Sequence, residues 1–191
     1  MSVRARAARG FTIVELVTVI VLVGIIGAVA ATRFVGRSTF DARAFADQCQ
    51  TLLRYAQKVA VAQNRPVYVR LNGASVALCF DSTCSGPATQ VLAPGGTNTA
   101  STATLAACAS SSSWACEALP AGVSFSASGI TPAFYFDALG KPFMATDATT
   151  AVISSFPAPA PGAATTTALT ITGDGTAYKV YVEAETGYVH L

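Results

Sequence analysis

The chain has 191 residues, of which 52% are hydrophobic and only 12% are charged. That charged share is roughly half of what soluble globular domains carry, which argues against a soluble cytosolic enzyme. The charge is also unevenly placed: residues 11–79 hold seven basic and three acidic side chains, whereas residues 80–191 hold two and seven. The acidic distal part argues against a surface that follows nucleic-acid phosphates.

The N-terminal region joins a short basic segment to an apolar run. Residues 1–10 contain three arginines and no acidic residue, and the apolar run extends from Phe11 to Ala31. A helix of this length is about 30 Å long, enough to cross a bilayer. We therefore predict a transmembrane helix over residues 11–31. Arginines also follow the run, so the distribution of positive charge determines its orientation only weakly.

Glu15 is the one charged side chain in the apolar run. A carboxylate costs about 2.5–3.5 kcal/mol at the bilayer centre and less near an end of the helix. A partner cation would compensate this cost, or the carboxylate is tolerated close to the interface. An ordinary secretory signal, cut after the small residues 28–31, is an alternative for the whole segment.

The segment Gly10-Phe11-Thr12-Ile13-Val14-Glu15-Leu16 resembles the processing site of type IV prepilins and type II secretion pseudopilins. The resemblance implies that residues 1–10 are a leader, which a prepilin peptidase removes by cutting between Gly10 and Phe11. The same enzyme would N-methylate Phe11, and the resulting cation would pair with Glu15 of an adjacent subunit. The implied location is the bacterial inner membrane, with a periplasmic head. The implied partners are the peptidase/methyltransferase, other pilin subunits, an inner-membrane assembly platform and, before assembly, membrane lipid.

After the apolar run the sequence stays helical in pattern but becomes amphipathic. Apolar and small residues recur at three- and four-residue steps from Phe45 to Gln63, and charged residues occupy the other faces. Arg65-Pro66 ends the pattern, because the residue before proline disfavours the α conformation. We predict one helix over residues 11–64, about 80 Å long, whose second half lies under a head.

Residues 65–191 predict an extracytoplasmic head rich in β-strands. Residues 67–71 alternate as a strand, and Asn72-Gly73 is a strong hairpin signal before the next strand. Residues 85–118 are rich in Ala, Ser, Thr, Gly and Pro, which predicts a long loop excursion. Further strands are predicted at 122–128, 133–136, 150–156, 167–172, 177–184 and 188–191. The fold class is therefore α+β, with the long N-terminal helix packed on a small antiparallel β-sheet head.

Four of the five cysteines form two local pairs in the head, Cys79 with Cys84 and Cys108 with Cys116. This usage is typical of disulfides in an oxidising compartment. Zinc is the alternative, but the spacings are poor for ligands and the chain has a single histidine. We predict both disulfides, with Cys49 left reduced, and no metal or other cofactor.

The order of these features resembles the GspH/FimT group of minor pilins, and within it the MshC-like proteins of mannose-sensitive haemagglutinin (MSHA) pili. The likeness is carried by Leu53–Ala60, the hairpin after Pro66, Tyr135–Pro142 and the Gly-rich C-terminal strands. It implies a subunit that helps to initiate or cap a type IV pilus. A type II secretion pseudopilin is an alternative.

Three other functions compete with that of a structural subunit: DNA binding, adhesion and catalysis. Some FimT-like pilins bind DNA through a C-terminal Gly-Arg-x-Arg motif, but the matching stretch here is Gly187-Tyr188-Val189-His190, without either arginine. With the acidic head, this argues against a nucleic-acid partner. Adhesion through residues 85–118 is a further alternative, for which the sequence indicates no ligand. An enzyme is not expected, since no nucleophile elbow, phosphate loop or metal-ligand pattern is present.

Overall fold

The computed structural model describes residues 11–33, 37–127, 129–130, 132–158 and 167–191. The chain divides into two compact units, Met1–Arg37 and Ser38–Leu191. The predicted leader, including Gly10, lies outside the described residues, so its cleavage stays a prediction.

In the first unit, helix α1 extends over Ile13–Arg33. Its side chains are described as far as Ala28, and the large apolar ones are exposed around the whole helix. Among the described residues, the structure contains no helix that combines the length and the apolar character of a membrane crossing.

Helix α2 extends over Arg37–Gln63 and provides one wall of the core of the second unit. Its end is set by the backbone: Asn64 has a positive φ of 51°, and the Arg65 amide donates to the Ala60 carbonyl. This left-handed residue after the last turn is a common helix terminator, and Pro66 then directs the chain into the first strand. The buried side of α2 consists of Ala42, Phe45, Ala46, Cys49, Leu52, Leu53, Ala56, Val59 and Ala60.

The strands of the described chain form two antiparallel sheets. In chain order the strands are β1 (Val67–Leu71), β2 (Ser75–Cys79), β3 (Cys116–Ala118), β4 (Val123–Ala127), β5 (Ala133–Phe136), β6 (Pro142–Met144), β7 (Thr167–Gly173), β8 (Thr176–Val182) and β9 (Val189–His190). One sheet has the order β3-β2-β1-β5-β6, and the other has the order β4-β7-β8-β9. The predicted α+β class is confirmed, although the sequence did not show that the strands divide between two sheets.

The apolar side of α2 joins both sheets in one hydrophobic cluster. The five-stranded sheet contributes alternate residues such as Val67, Val69 and Phe134, and the four-stranded sheet contributes residues such as Ile171 and Val180. Alternation places these side chains on the helix-facing side of each sheet and leaves their neighbours on the outer side. The outer side of the five-stranded sheet therefore carries the residues between them, such as Tyr68 and Arg70 of β1.

One predicted strand, Thr150–Phe156, is wrong: residues 151–158 have no regular secondary structure. The carboxylate of Asp147 folds this segment back, since Oδ2 accepts from the Ser155 and Met144 amides and Oδ1 accepts from the Ser155 hydroxyl. Partial burial alone would raise the pKa of Asp147, but the hydrogen bonds from Ser155 and Met144 lower it. These local bonds replace the ladder bonds that a strand would need.

The predicted excursion over residues 85–118 is more structured than its composition indicates. It contains a 3₁₀ turn at Pro87–Thr89 and a short helix α3 at Thr102–Ala107, and it ends in β3. The Ser101 hydroxyl accepts from the Thr104 amide and so caps α3. The sequence pattern did not indicate these elements, because each is six residues or shorter and too short to show a clear periodicity.

Candidate functional site

Thr12 fixes the start of α1 through a capping interaction. The Thr12 hydroxyl accepts from the Glu15 amide at 3.2 Å, and the Thr12 carbonyl accepts from the Leu16 amide at 3.1 Å. Thr12 is therefore the N-cap and Glu15 the third helical residue, the Thr-x-x-Glu arrangement of a capping box. Glu15 was expected to pair with the Phe11 amine of an adjacent subunit; its place in a capped first turn was not predicted, although the Thr-x-x-Glu pattern is present in the sequence.

The position of Glu15 also suits its charge. A carboxylate in the first turn interacts favourably with the helix dipole, so part of its tolerance within an apolar run is local. The side chain is exposed and forms no ion pair with any residue that the structure describes. The carboxylate thus remains accessible to a cation from another molecule.

Phe11 precedes the cap and is 80% exposed. The apolar side chains behind it are also exposed, from Ile13 at 82% to Ile26 at 66%. A helix that is apolar all round is normally covered by lipid or by other apolar helices. The described turns of α1 thus form an exposed apolar helix. Its first turn carries one accessible carboxylate, that of Glu15, and Phe11 precedes it.

Both disulfides link the cysteines that the sequence pairs. Cys79 is bonded to Cys84, with 5.5 Å between their Cα atoms, and Cys108 is bonded to Cys116, with 5.9 Å between theirs. The disulfides and Trp114 belong to a small buried cluster that is separate from the main core. The Trp114 indole donates to the Leu78 carbonyl at 2.7 Å, so this cluster is fixed to β2.

A buried carboxylate that sequence reasoning missed organises the excursion. Glu117 on β3 accepts from the Thr99 amide at 2.9 Å, and its other oxygen accepts from the hydroxyls of Thr99 and Thr104. These charge-assisted bonds satisfy the buried group. They attach the segment before α3 to the sheet, so Glu117 has a structural role.

Cys49 is buried against the core with its thiol free. Burial raises the pKa of this thiol far above its usual range, and the nearby Glu117 carboxylate raises it further. Since the thiolate is the reactive form, Cys49 is chemically protected while the chain is folded. Because the pKa is raised in the folded chain, burial of the neutral thiol contributes in full to the free energy of unfolding below about pH 8.5, the pKa of a free thiol. This contribution decreases as the pH rises further.

We expect a maleimide to label no thiol of the native full-length chain at neutral pH and one thiol after denaturation without a reducing agent. Mass spectrometry measures the number of labels. Thr51→Cys is a matched control, since Thr51 is an exposed residue of the same helix and its replacement should label at once. Rapid labelling of the native wild-type chain, or three labels after denaturation, would show that the thiol assignment is wrong.

The C-terminal strand carries a stack of rings where the DNA-binding motif would place arginines. The His190 ring stacks on the Tyr181 ring, with 5.2 Å between the ring centroids, and on the Tyr188 ring, with 5.4 Å between them. Its Nε2 lies 2.9 Å from a Glu183 carboxylate oxygen. From α2, Arg54 donates to the Val189 carbonyl at 2.9 Å. Tyr188 and His190 therefore stand where the motif has arginines, and their rings form contacts within the head.

Comparison with known proteins returns structures but no sequence relatives. No protein-family model and no curated protein sequence matches the chain. Among solved structures, the type IV minor pilin FimU of Pseudomonas aeruginosa strain PAO1 is similar in one crystal form with a TM-score of 0.49 and 14% identity, over 83% of this chain and 91% of that one. A second crystal form of FimU has a TM-score of 0.47 and 13% identity, over 78% and 90%. The minor pseudopilin EpsH from the type 2 secretion system of Vibrio cholerae has a TM-score of 0.47 and 13% identity, over 79% and 95%.

Neither a metal centre nor a catalytic carboxylate emerges from the described residues. No group of three or more His, Cys, Asp or Glu side chains in that part of the chain is placed to hold a metal ion. Asp137, the carboxylate beside the β5–β6 turn, accepts from the amides of Leu139 and Lys141 at 2.9 and 2.8 Å. It therefore acts as a turn former.

Proposed function

We propose that this chain is a minor pilin or pseudopilin, a structural subunit that helps to initiate or cap a filament and that catalyses no reaction. The observation that carries the proposal is the start of α1, where a capped first turn presents Glu15 directly behind the exposed Phe11. The same residues form the segment that resembles a prepilin processing site. A helix with this start can receive a cation from a neighbouring subunit in a defined register.

The proposal includes processing between Gly10 and Phe11. Cleavage would create an amine at Phe11, and N-methylation would leave it cationic. Phe11 lies one residue before the cap, so removing residues 1–10 leaves the Thr12 hydroxyl free to hold the Glu15 amide. Methyl transfer and proteolysis belong to the peptidase, for which this chain is the substrate.

Residues 11–31 are proposed to anchor the subunit in the inner membrane before assembly, with the head in the periplasm. The exposed apolar side chains of α1 support this, because each loses unfavourable contact with water in lipid. The two disulfides of the head support an oxidising compartment for Ser38–Leu191. In a filament, the same apolar helix would be covered by helices of other subunits delivered by the assembly platform.

The N-terminus of the mature chain tests this proposal. We expect the full-length protein, produced with a prepilin peptidase, to begin at N-methylated Phe11 when its intact mass is measured. Gly10→Val should retain residues 1–10, whereas Ala31→Val should be processed normally, because residues 28–31 are not the cleavage site. A mature chain that starts near Thr32, together with blocked processing in Ala31→Val, would establish an ordinary secretory signal instead.

An MSHA-like type IV pilus is the machine that we propose, and a type II secretion pseudopilus is the alternative within the same class. The resemblance to MshC-like proteins within the GspH/FimT group favours the pilus. Deleting the gene should then abolish surface pili and leave secretion of folded proteins unchanged. The opposite phenotype would assign the chain to a secretion system.

A further inference from the structure

The outer side of the five-stranded sheet carries a surface cavity of about 490 Å³. Its floor includes Ala77 of β2, which is paired with Arg70 of β1 on one side and with Cys116 of β3 on the other. The short side chain of Ala77 leaves room for the cavity, whereas its partner Cys116 is covered through its disulfide to Cys108. The volume is within the range of small-molecule sites in proteins.

Residues of both disulfide loops wall this cavity. Cys84 and the residues after it line one side, and Ala107 through Trp114 line the other. The backbones of the two walls are joined by the Leu92–Trp114 bridge, and the Trp114 indole donates to the Leu78 carbonyl of β2. Disulfides fix Cys84 in one wall and residues 109–114 in the other, so the site is partly pre-formed and less ordering free energy is lost on binding.

Arg70 is the one charged residue among the described residues that line the cavity. Its guanidinium donates to the Thr83 carbonyl at 2.8 Å and forms no ion pair within the described chain. Asp81 is the carboxylate of the same loop, but its Oδ1 accepts from Thr83 and Cys84 and so organises that loop. The arginine is thus held in place with most of its donors uncommitted, a suitable arrangement for a carboxylate ligand.

The remaining lining is neutral and rich in hydrogen-bonding groups. Asn72 is representative: its Oδ1 accepts from the Ala74 and Ser75 amides, which leaves its NH₂ group as a donor without a partner in the described chain. Leu92 adds an exposed apolar side chain at the edge. The other neutral polar residues that line the cavity are Ser75, Ser85, Gln90, Ser111 and Ser113.

We propose that this cavity binds a carboxylate-bearing sugar, an acidic monosaccharide unit, through Arg70. The guanidinium pairs with the carboxylate, the amide and hydroxyl groups bind the ring hydroxyls, and Leu92 contacts the C–H face of the ring. A neutral sugar would leave the single charge unused, and a bare anion would leave the neutral polar groups unused. This ligand site lies on the head alone and goes beyond the proposed role of the chain in filament assembly.

The probe is D-glucuronate, titrated against the full-length chain in detergent micelles and followed by ligand-observed NMR. We expect saturable binding that is at least tenfold weaker for D-glucose and at least tenfold weaker for inorganic phosphate. Arg70→Gln should weaken glucuronate binding at least tenfold. Arg43→Gln, the same substitution at an exposed arginine of α2, should leave binding unchanged.

A second variant keeps the test independent of Arg70. Ser113→Phe replaces an exposed residue of the wall with a side chain that fills the cavity, and it should weaken glucuronate binding to the same degree. A retained far-ultraviolet circular dichroism spectrum would show that each variant is folded. No saturable glucuronate binding, equal binding of glucose or phosphate, or unchanged binding in folded Ser113→Phe would each overturn the proposal. None of these results depends on whether Phe11 is processed.

Discussion

Replacing Gly187 with alanine is expected to destabilise the head by about 2–5 kcal/mol. Gly187 has a φ of +65°, where an L-residue costs roughly 1–2 kcal/mol, and overpacking of a filled site adds about 1–3 kcal/mol. An added Cβ would lie 2.1 Å from the Gly140 carbonyl oxygen and 2.7 Å from the Gln57 amide nitrogen. Neither can move freely, because Gln57 donates to both the Gly140 and Thr186 carbonyls at 2.9 Å.

Gly175→Ala is the matched control for this substitution. Gly175 lies in the β7–β8 turn with a φ of +75°, but an added Cβ there would meet no atom within 4 Å. It should therefore show the conformational cost alone, about 1–2 kcal/mol. Urea unfolding followed by fluorescence of Trp114, the single tryptophan, gives both free energies of unfolding. Equal losses in the two variants would show that the Gln57 junction does not determine the cost at Gly187.

This junction also shows what the sequence could not predict. The positions of the turns near residues 140 and 187 followed from their glycines, because glycine accepts positive φ. Nothing in their spacing indicated that the two turns meet on Gln57 of α2, since 83 and 129 residues separate Gln57 from its two acceptors. Contacts across such distances depend on how the sheets pack on the helix.

Local patterns were more informative than long-range ones. The hairpin at Asn72-Gly73, the end of α2 before Pro66 and the buried face of α2 all follow from periodicity or turn chemistry within a few residues. The cavity beside Arg70 does not follow from local patterns, because it forms where residues 70–77, 84–92 and 107–114 come together. For residues 85–118 the sequence predicts a loop excursion with the Cys108–Cys116 disulfide, but it does not indicate α3 or the organising role of Glu117.

Glu15→Val is expected to reduce incorporation of this subunit into filaments at least tenfold, while membrane insertion and leader cleavage remain. The reason is that the cationic amine of Phe11 would lose its partner in the assembled filament. Leaving one charge of a buried pair unpaired costs about 3–5 kcal/mol. Incorporation is measured as the fraction of the chain in sheared filaments relative to the membrane fraction.

The position of Glu15 in the capped first turn provides a competing explanation, which Glu15→Gln distinguishes. Glutamine also serves at the third helical position of a capping box, so it preserves the local helix start and removes only the charge. If pairing with Phe11 is what matters, Glu15→Gln should be as defective as Glu15→Val; if the cap matters, glutamine should restore assembly. Thr18→Val is the control for polarity, because the Thr18 hydroxyl donates only to the Glu15 carbonyl within the same helix. Normal incorporation of Glu15→Gln would therefore contradict the ion pair and leave the first turn of α1 as a purely structural feature.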